Sequence, residues 1–278
     1  MNEKLIIRSI GLVFLLLCAI VPIAASAQEI TVLDGSKPLA LRPARADGAV
    51  VVAKSLHFPA ISPDGSRVLL FEPGLPGEPS QIHEWNADTR LITTRMQSDR
   101  LSRYMTWDRD GRIAVRDGRL PFSREASERS IQGLRVYDDN DTIRLETPAG
   151  TVAISAPGER AYAPFLSPDG RYIVYNVLGH GLFLYDIAAR THILNAAHAT
   201  SPAFSPDGAY LVYAETADDG HALTRGDIVV LDLRRRSAHR IDNPGHEIRT
   251  NATLSRDGKE IAYETEDGRV LTARMTYE

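Results

Sequence analysis

Cysteine is all but missing from this chain of 278 residues: the single copy, Cys18, lies inside an N-terminal apolar run. No disulfide can staple the remainder, so burial alone must hold the fold together, and a length of roughly 250 residues suffices for one all-β domain. Lysine is scarce as well, with 4 copies against 28 arginines, which reads as compositional bias and not as a phosphate-binding design. A positive charge balance is lacking. Beyond residue 27 there are 30 basic and 35 acidic side chains, a net charge near −5. That argues against a general nucleic-acid or anionic-membrane binder, which calls for a strongly basic surface.

Catalytic signatures are equally thin. No Gly-x-Ser-x-Gly elbow occurs, and "LGHGLF" offers two glycines where a phosphate cradle needs more. The histidines show no close pair at metal-ligand spacing; His192 and His198 are separated by a strand end. "YDDNDT" (Tyr137 to Thr142) crowds oxygen-bearing side chains, but it falls where one strand turns into the next, and Asp and Asn suit turns. "LRRRSAHR" (Leu233 to Arg240) occupies the same place in its own repeat and reads as a solvated turn. No cofactor and no metal are expected.

Long apolar runs are confined to the start. Lys4 and Arg8 precede an unbroken apolar or small-residue stretch from Ile10 to Ala25, and Ala25-Ser26-Ala27 has the small-x-small form of a cleavage site. Residues 1–27 are therefore expected to be a signal peptide cut after Ala27, with a periplasmic or secreted product and no lasting membrane insertion. Leu17, before Cys18, is not the small residue that lipidation needs.

What is present is a repeated clause. "ISPDGSRVLLFE", "LSPDGRYIVYN", "FSPDGAYLVYAE" and "LSRDGKEIAYE" share one outline, and a fifth copy keeps only its Asp-Gly pair. The pairs are Asp64-Gly65, Asp110-Gly111, Asp169-Gly170, Asp207-Gly208 and Asp257-Gly258, spaced by 46, 59, 38 and 50 residues. Such periods point to repeat architectures. Pro206 presets φ for a turn, Asp207 suits the next position, and Gly208 can take the positive φ that closes it. Ser205 can bond the turn through its hydroxyl. After each turn comes a short apolar, aromatic-rich strand, and further on another strand ends at Asn86, Asp138, Asp186 or Asp232.

Four strands per unit follow, over roughly 57–96, 103–148, 162–195, 199–242 and 248–278. A lone four-stranded meander exposes both faces, so copies must pack on one another, and a ring closes that arrangement. The expected fold is all-β, a β-propeller of four-stranded antiparallel blades, within a single domain over 28–278. Five blades are expected, with six left open. The last unit is short, and "GAVVVAK" (Gly48 to Lys54) or "EITVLD" (Glu29 to Asp34) can complete it. Trp85 and Trp107 are expected in the core.

The clauses "FPAISPDGSRVLLF", "YAPFLSPDGRYIVY" and "TSPAFSPDGAYLVY" resemble the WD-like repeat of the TolB-type propellers, over about 58 to 278. The resemblance is to the repeat, since too few residues precede it for the α/β domain that TolB carries. It implies an exported propeller whose use is protein binding.

With the innermost strand first in each unit, the Asp-Gly turns share one rim, and the longer second-to-third loops and the links between units share the other. Variable loops on a rigid scaffold are where binding sits. Candidates on that irregular rim, at the starts of inner strands, are Arg103, Tyr104, Tyr162, His198, His246 and Arg249. The expected role is a non-catalytic monomeric scaffold for another envelope or periplasmic protein. The alternative is a carbohydrate-binding or carbohydrate-active propeller of lyase or lactonase type, acting through its central opening.

Overall fold

The computed structural model describes residues 31–32, 39–108, 110–118, 120–125 and 131–278. The expected signal peptide lies outside the described residues. Among them there is no helix. Two strands come first, β1 (Thr31–Val32) and β2 (Leu41–Lys54). The first repeat holds β3 (His57–Ile61), β4 (Arg67–Glu72), β5 (Ser80–Asn86) and β6 (Ile92–Ser98). The second holds β7 (Met105–Trp107), β8 (Ile113–Val115), β9 (Arg135–Asp139) and β10 (Thr142–Thr147), then an added β11 (Gly150–Ala153). The third comprises β12 (Ala161–Leu166), β13 (Tyr172–Val177), β14 (Gly181–Asp186) and β15 (Thr191–Ala196). Next come β16 (Ala199–Phe204), β17 (Tyr210–Asp218), β18 (Leu223–Asp232) and β19 (Ser237–Ile241), then β20 (Arg249–Leu254), β21 (Glu260–Thr265) and β22 (Arg269–Tyr277).

Within each repeat the strands pair antiparallel in chain order, and in the second the hairpin β7-β8 separates from β9-β10-β11. Burial lies between repeats. Leu69 and Phe71 pack with Met105 and Trp107, Val136 and Ile143 with Ile173 and Tyr175, and Leu182 and Leu184 with Leu211 and Tyr213. Val212 and Val230 pack with Ile261 and Tyr263. Val68 and Leu70 then meet Ala262 and Val270, returning the last repeat to the first. The apolar cores thus close a ring, the β-propeller that two-sided apolar strands require. Trp107 also ties two repeats directly, donating from Nε1 to the carbonyl of Ala60 at 2.8 Å.

The short last repeat is completed from the other end of the chain. β2 pairs antiparallel with β22, Val50 opposite Thr272 and Lys54 opposite Arg269, so "GAVVVAK" supplies the missing strand. The same strand begins by pairing parallel with β19, Leu41 opposite Ala238. "EITVLD" goes elsewhere: Thr31 and Val32 add to the edge of β15.

The repeated clause is a hydrogen-bonded knot. Ser205 Oγ donates to Asp207 Oδ1 at 2.8 Å and accepts from the Tyr210 amide at 3.0 Å. The Gly208 amide closes on the Ser205 carbonyl at 2.9 Å. Gly208 has φ +73, and a Cβ there would stand 2.7 Å from Asp169 Oδ1 of the preceding repeat; at Gly258 it would stand 2.8 Å from the Tyr210 ring. Positive φ and close approach to the neighbouring blade each demand glycine.

Each inner strand of four repeats also carries one left-handed residue before its turn: Phe58, Ala163, Ser201 and Asn251, with φ between 50 and 52. Each sits where the pairing with the second strand slips. A non-glycine residue held there costs about 1–2 kcal/mol, offset by the surrounding packing.

Candidate functional site

Backbone bonds fix which segments share a rim. The amides of Arg116, Leu178, Thr216 and Glu266, at the ends of second strands, donate to the carbonyls of Tyr104, Arg160, His198 and Ile248 at 2.9 to 3.1 Å. Unit links and second-to-third loops therefore lie together. The amides of Ala87, Ile187 and Leu233 bond to Ser66, Arg171 and Ala209, which puts the third-to-fourth turns beside the Asp-Gly turns on the other rim.

The six candidates separate into three groups along the irregular rim. Arg103 and Tyr104 belong to one cluster: the Arg103 guanidinium donates to the Tyr104 hydroxyl at 2.8 Å and lies over the Phe58 and Tyr104 rings at 5.0 Å each. Arg249 belongs to a second. Its guanidinium bonds Glu247 at 3.2 Å and the Asp242 carbonyl at 3.1 Å, and lies over the Tyr263 ring at 5.3 Å. Arg269 donates to the same Glu247 at 2.9 Å, and these two arginines hold that carboxyl below its ordinary range. His246 is exposed on the adjoining turn, where its amide bonds the Asn243 carbonyl. Tyr162 and His198 are exposed and belong to neither cluster.

The first cluster has members that the sequence reading did not single out. The Arg116 guanidinium lies 5.3 Å from the Phe122 ring and 5.4 Å from that of Phe165. Its Nη1 donates to the Pro121 carbonyl at 3.1 Å. Tyr104 meets Phe122 edge-on at 4.6 Å, and Phe122 meets Phe165 edge-on at 5.4 Å. Burial pulls the Arg116 guanidinium down to about 10, and the neighbouring Tyr104 hydroxyl opposes that shift weakly. Among the described residues no carboxylate pairs with Arg116 or with Arg103. Beside the Pro121 carbonyl and the Tyr104 hydroxyl, the rings supply the compensation seen among the described residues, about 0.5–2 kcal/mol for each cation–π contact.

A register slip puts Arg116 there. Counted from the turn glycine, Arg116 occupies the column of Tyr175, Tyr213 and Tyr263, which are core residues facing the preceding repeat. In the other repeats the turn is closed by pairs such as Ser62 with Arg67 or Ser167 with Tyr172, whereas here Asp108 closes on Arg112. This turn is one residue shorter. A one-residue shift in a strand reverses the faces of its side chains. Ile113 and Val115 consequently pack toward the first repeat, and Arg116 faces Phe165 of the third.

A further polar group sits on this rim between the last and first repeats. Glu264 accepts from His57 Nδ1 at 2.6 Å, from Asn251 Nδ2 at 2.9 Å and from the Phe58 amide at 3.3 Å. Its hydrogen bonds hold the left-handed turn at Phe58 and join the ring's ends. A groove of about 570 Å³ lies on the opposite rim, lined by Asp47, Asp64, Arg90, Glu260 and Arg274 among others. Among the described residues no three His, Cys, Asp or Glu side chains gather as a metal site. Among the described residues there is no helix long and apolar enough to cross a membrane.

No protein-family profile matches the chain, and no curated protein does. Among solved structures, that of TolB from Acinetobacter baumannii is similar over 90% of this chain, with 12% sequence identity and a TM-score of 0.36. The chain spans 61% of the length of that protein.

Proposed function

We propose that this chain is an exported, non-catalytic, five-bladed propeller that binds another protein of the periplasm or cell envelope across its irregular rim. The observation that carries this reading is the cluster of Arg103, Tyr104, Arg116, Phe122 and Phe165, where two guanidinium groups meet aromatic rings and, among the described residues, no acid. Arginine and tyrosine are the residue types that dominate binding energy at protein interfaces, and they do so where rings exclude water. The Asp-Gly rim supports the reading by contrast, because its serine and aspartate side chains are consumed by their own turns.

The test is affinity capture from envelope extracts with the wild type, with Arg103→Ala/Tyr104→Ala, and with Arg171→Ala on the Asp-Gly rim. A partner held by the wild type and by the Arg171 variant, but lost with the double variant, is the expected outcome. A partner that ignores the double variant and is lost with Arg171→Ala moves the working surface to the other rim.

A further inference from the structure

Among the described residues, most buried or half-buried cations are neutralised from within. Glu215 meets Arg240, Glu247 takes Arg249 and Arg269, and Glu84 lies near Arg67 and Arg95. Arg116 is the contrary case. It is desolvated, held by one carbonyl and two ring faces, and faces a neighbouring repeat through a slipped register. A cation taken from water without a counter-charge is costly. A well-packed apolar side chain would serve a purely structural position better. Beside it, the Tyr104 hydroxyl already receives one hydrogen bond, from Arg103, whose exposed guanidinium has no acid partner among the described residues.

We infer that the Arg103–Arg116 cluster is a receptor for a single carboxylate carried next to an apolar or aromatic group on the bound protein. The carboxylate supplies the missing counter-charge, with the planar guanidinium fork as its partner. The rings of Phe58, Tyr104, Phe122 and Phe165 accept the apolar group and exclude water, which strengthens the charge pairing. The carboxylate has two sources, an Asp or Glu side chain or the end of a chain, and the chemistry is shared. This inference rests on the protein-binding reading and names the partner's anchor.

Two peptides separate the sources: Ac-Ala-Glu-Phe-amide, with only a side-chain carboxylate, and Ac-Ala-Ala-Phe, with only a terminal one. Ac-Ala-Gln-Phe-amide is the uncharged control. Binding is measured by calorimetry on the full mature chain, with the wild type, Arg116→Met, Arg103→Met, and Arg112→Met on the opposite rim. One charged peptide is expected to bind, with affinity falling about tenfold or more in Arg116→Met and Arg103→Met and unchanged in Arg112→Met. The melting temperature of unliganded Arg116→Met is expected to rise by about 2 °C, because a half-buried charge with no counter-charge among the described residues has been removed. Binding of neither charged peptide overturns the inference, as does equal binding of the glutamine control. A fall in melting temperature for Arg116→Met without loss of binding also overturns it, since the residue then serves packing alone. Rim-dependent capture of a partner that survives Arg116→Met sinks the carboxylate anchor while leaving the protein-binding reading standing.

Discussion

The irregular rim has two dissimilar sectors. Around the fourth and fifth repeats, Arg240, Arg249 and Arg269 each reach a carboxylate, and Asn243 bridges Asp227 to the Glu247 backbone. At the second repeat, Arg103 and Arg116 reach, among the described residues, only rings, a hydroxyl and a carbonyl. Both sectors bury charge, so burial alone does not mark a site. What distinguishes them is charge pairing: each of these cations in one sector meets a carboxylate, although Arg240 Nε and Arg249 Nε are buried without a hydrogen-bond partner, whereas in the other no described carboxylate meets Arg103 or Arg116.

The largest effect should come from breaking the charge-paired sector. Arg240→Met strands Glu215, which is 3% exposed and whose carboxyl burial already pushes upward. Removing one partner of a buried pair costs about 3 kcal/mol, which urea unfolding will read as a lower midpoint. The opposite rim gives the next effect. Gly208→Ala places a Cβ against Asp169 at a positive φ, for about 2 kcal/mol. Gly220→Ala also has positive φ but open space around it, and should cost about 1 kcal/mol. Peptide binding at the second repeat should be untouched by either, which separates scaffold from site. Ser205→Ala removes two hydrogen bonds within the turn, for about 1–2 kcal/mol.

The smallest effect is a pH dependence remote from both sectors. His192 accepts or donates at the Tyr175 hydroxyl, 2.5 Å away, and burial lowers its pKa below 6.5, with Glu159 opposing. A depressed folded value means that the unfolded chain takes the proton first. The stability is full above about 6.5 and is lost as pH falls through that value toward the folded one. Burial moves His239 the same way. His192→Gln should therefore lose less melting temperature between pH 7 and 5 than the wild type does.

Much of the architecture could be read before any coordinates, because its determinants are local. The Ser-x-Asp-Gly turn sets its own geometry, and apolar strands after each turn demand blades on both sides. That a strand from the N-terminal end closes the ring followed from a last repeat one strand short; the choice of Gly48 to Lys54 over Glu29 to Asp34 came only with the pairing of β2 to β22. The parallel strap that β2 makes to β19, and the antiparallel addition of β1 to β15, were not legible, since edge pairing between distant segments leaves no periodic mark. The candidate site was legible only in part. Arg103 and Tyr104 were found from their place at the start of an inner strand. Arg116 was hidden in a column of buried tyrosines, and only the shortened turn at Asp108 shows that it faces the other way. The clue was in the sequence, a cation written where its sister repeats write Tyr175, Tyr213 and Tyr263. Phe122 and Phe165 join it through space across two repeats, which no spacing reveals.

The most direct test sets the two arginines against each other. Equilibrium urea unfolding of unliganded Arg116→Met and Arg240→Met, in one buffer, should shift the midpoint in opposite directions, up for Arg116 and down for Arg240. Midpoints that fall together would mean that Arg116 is as well compensated within its own chain as Arg240 is by Glu215, and that the second repeat holds no place for a partner's carboxylate.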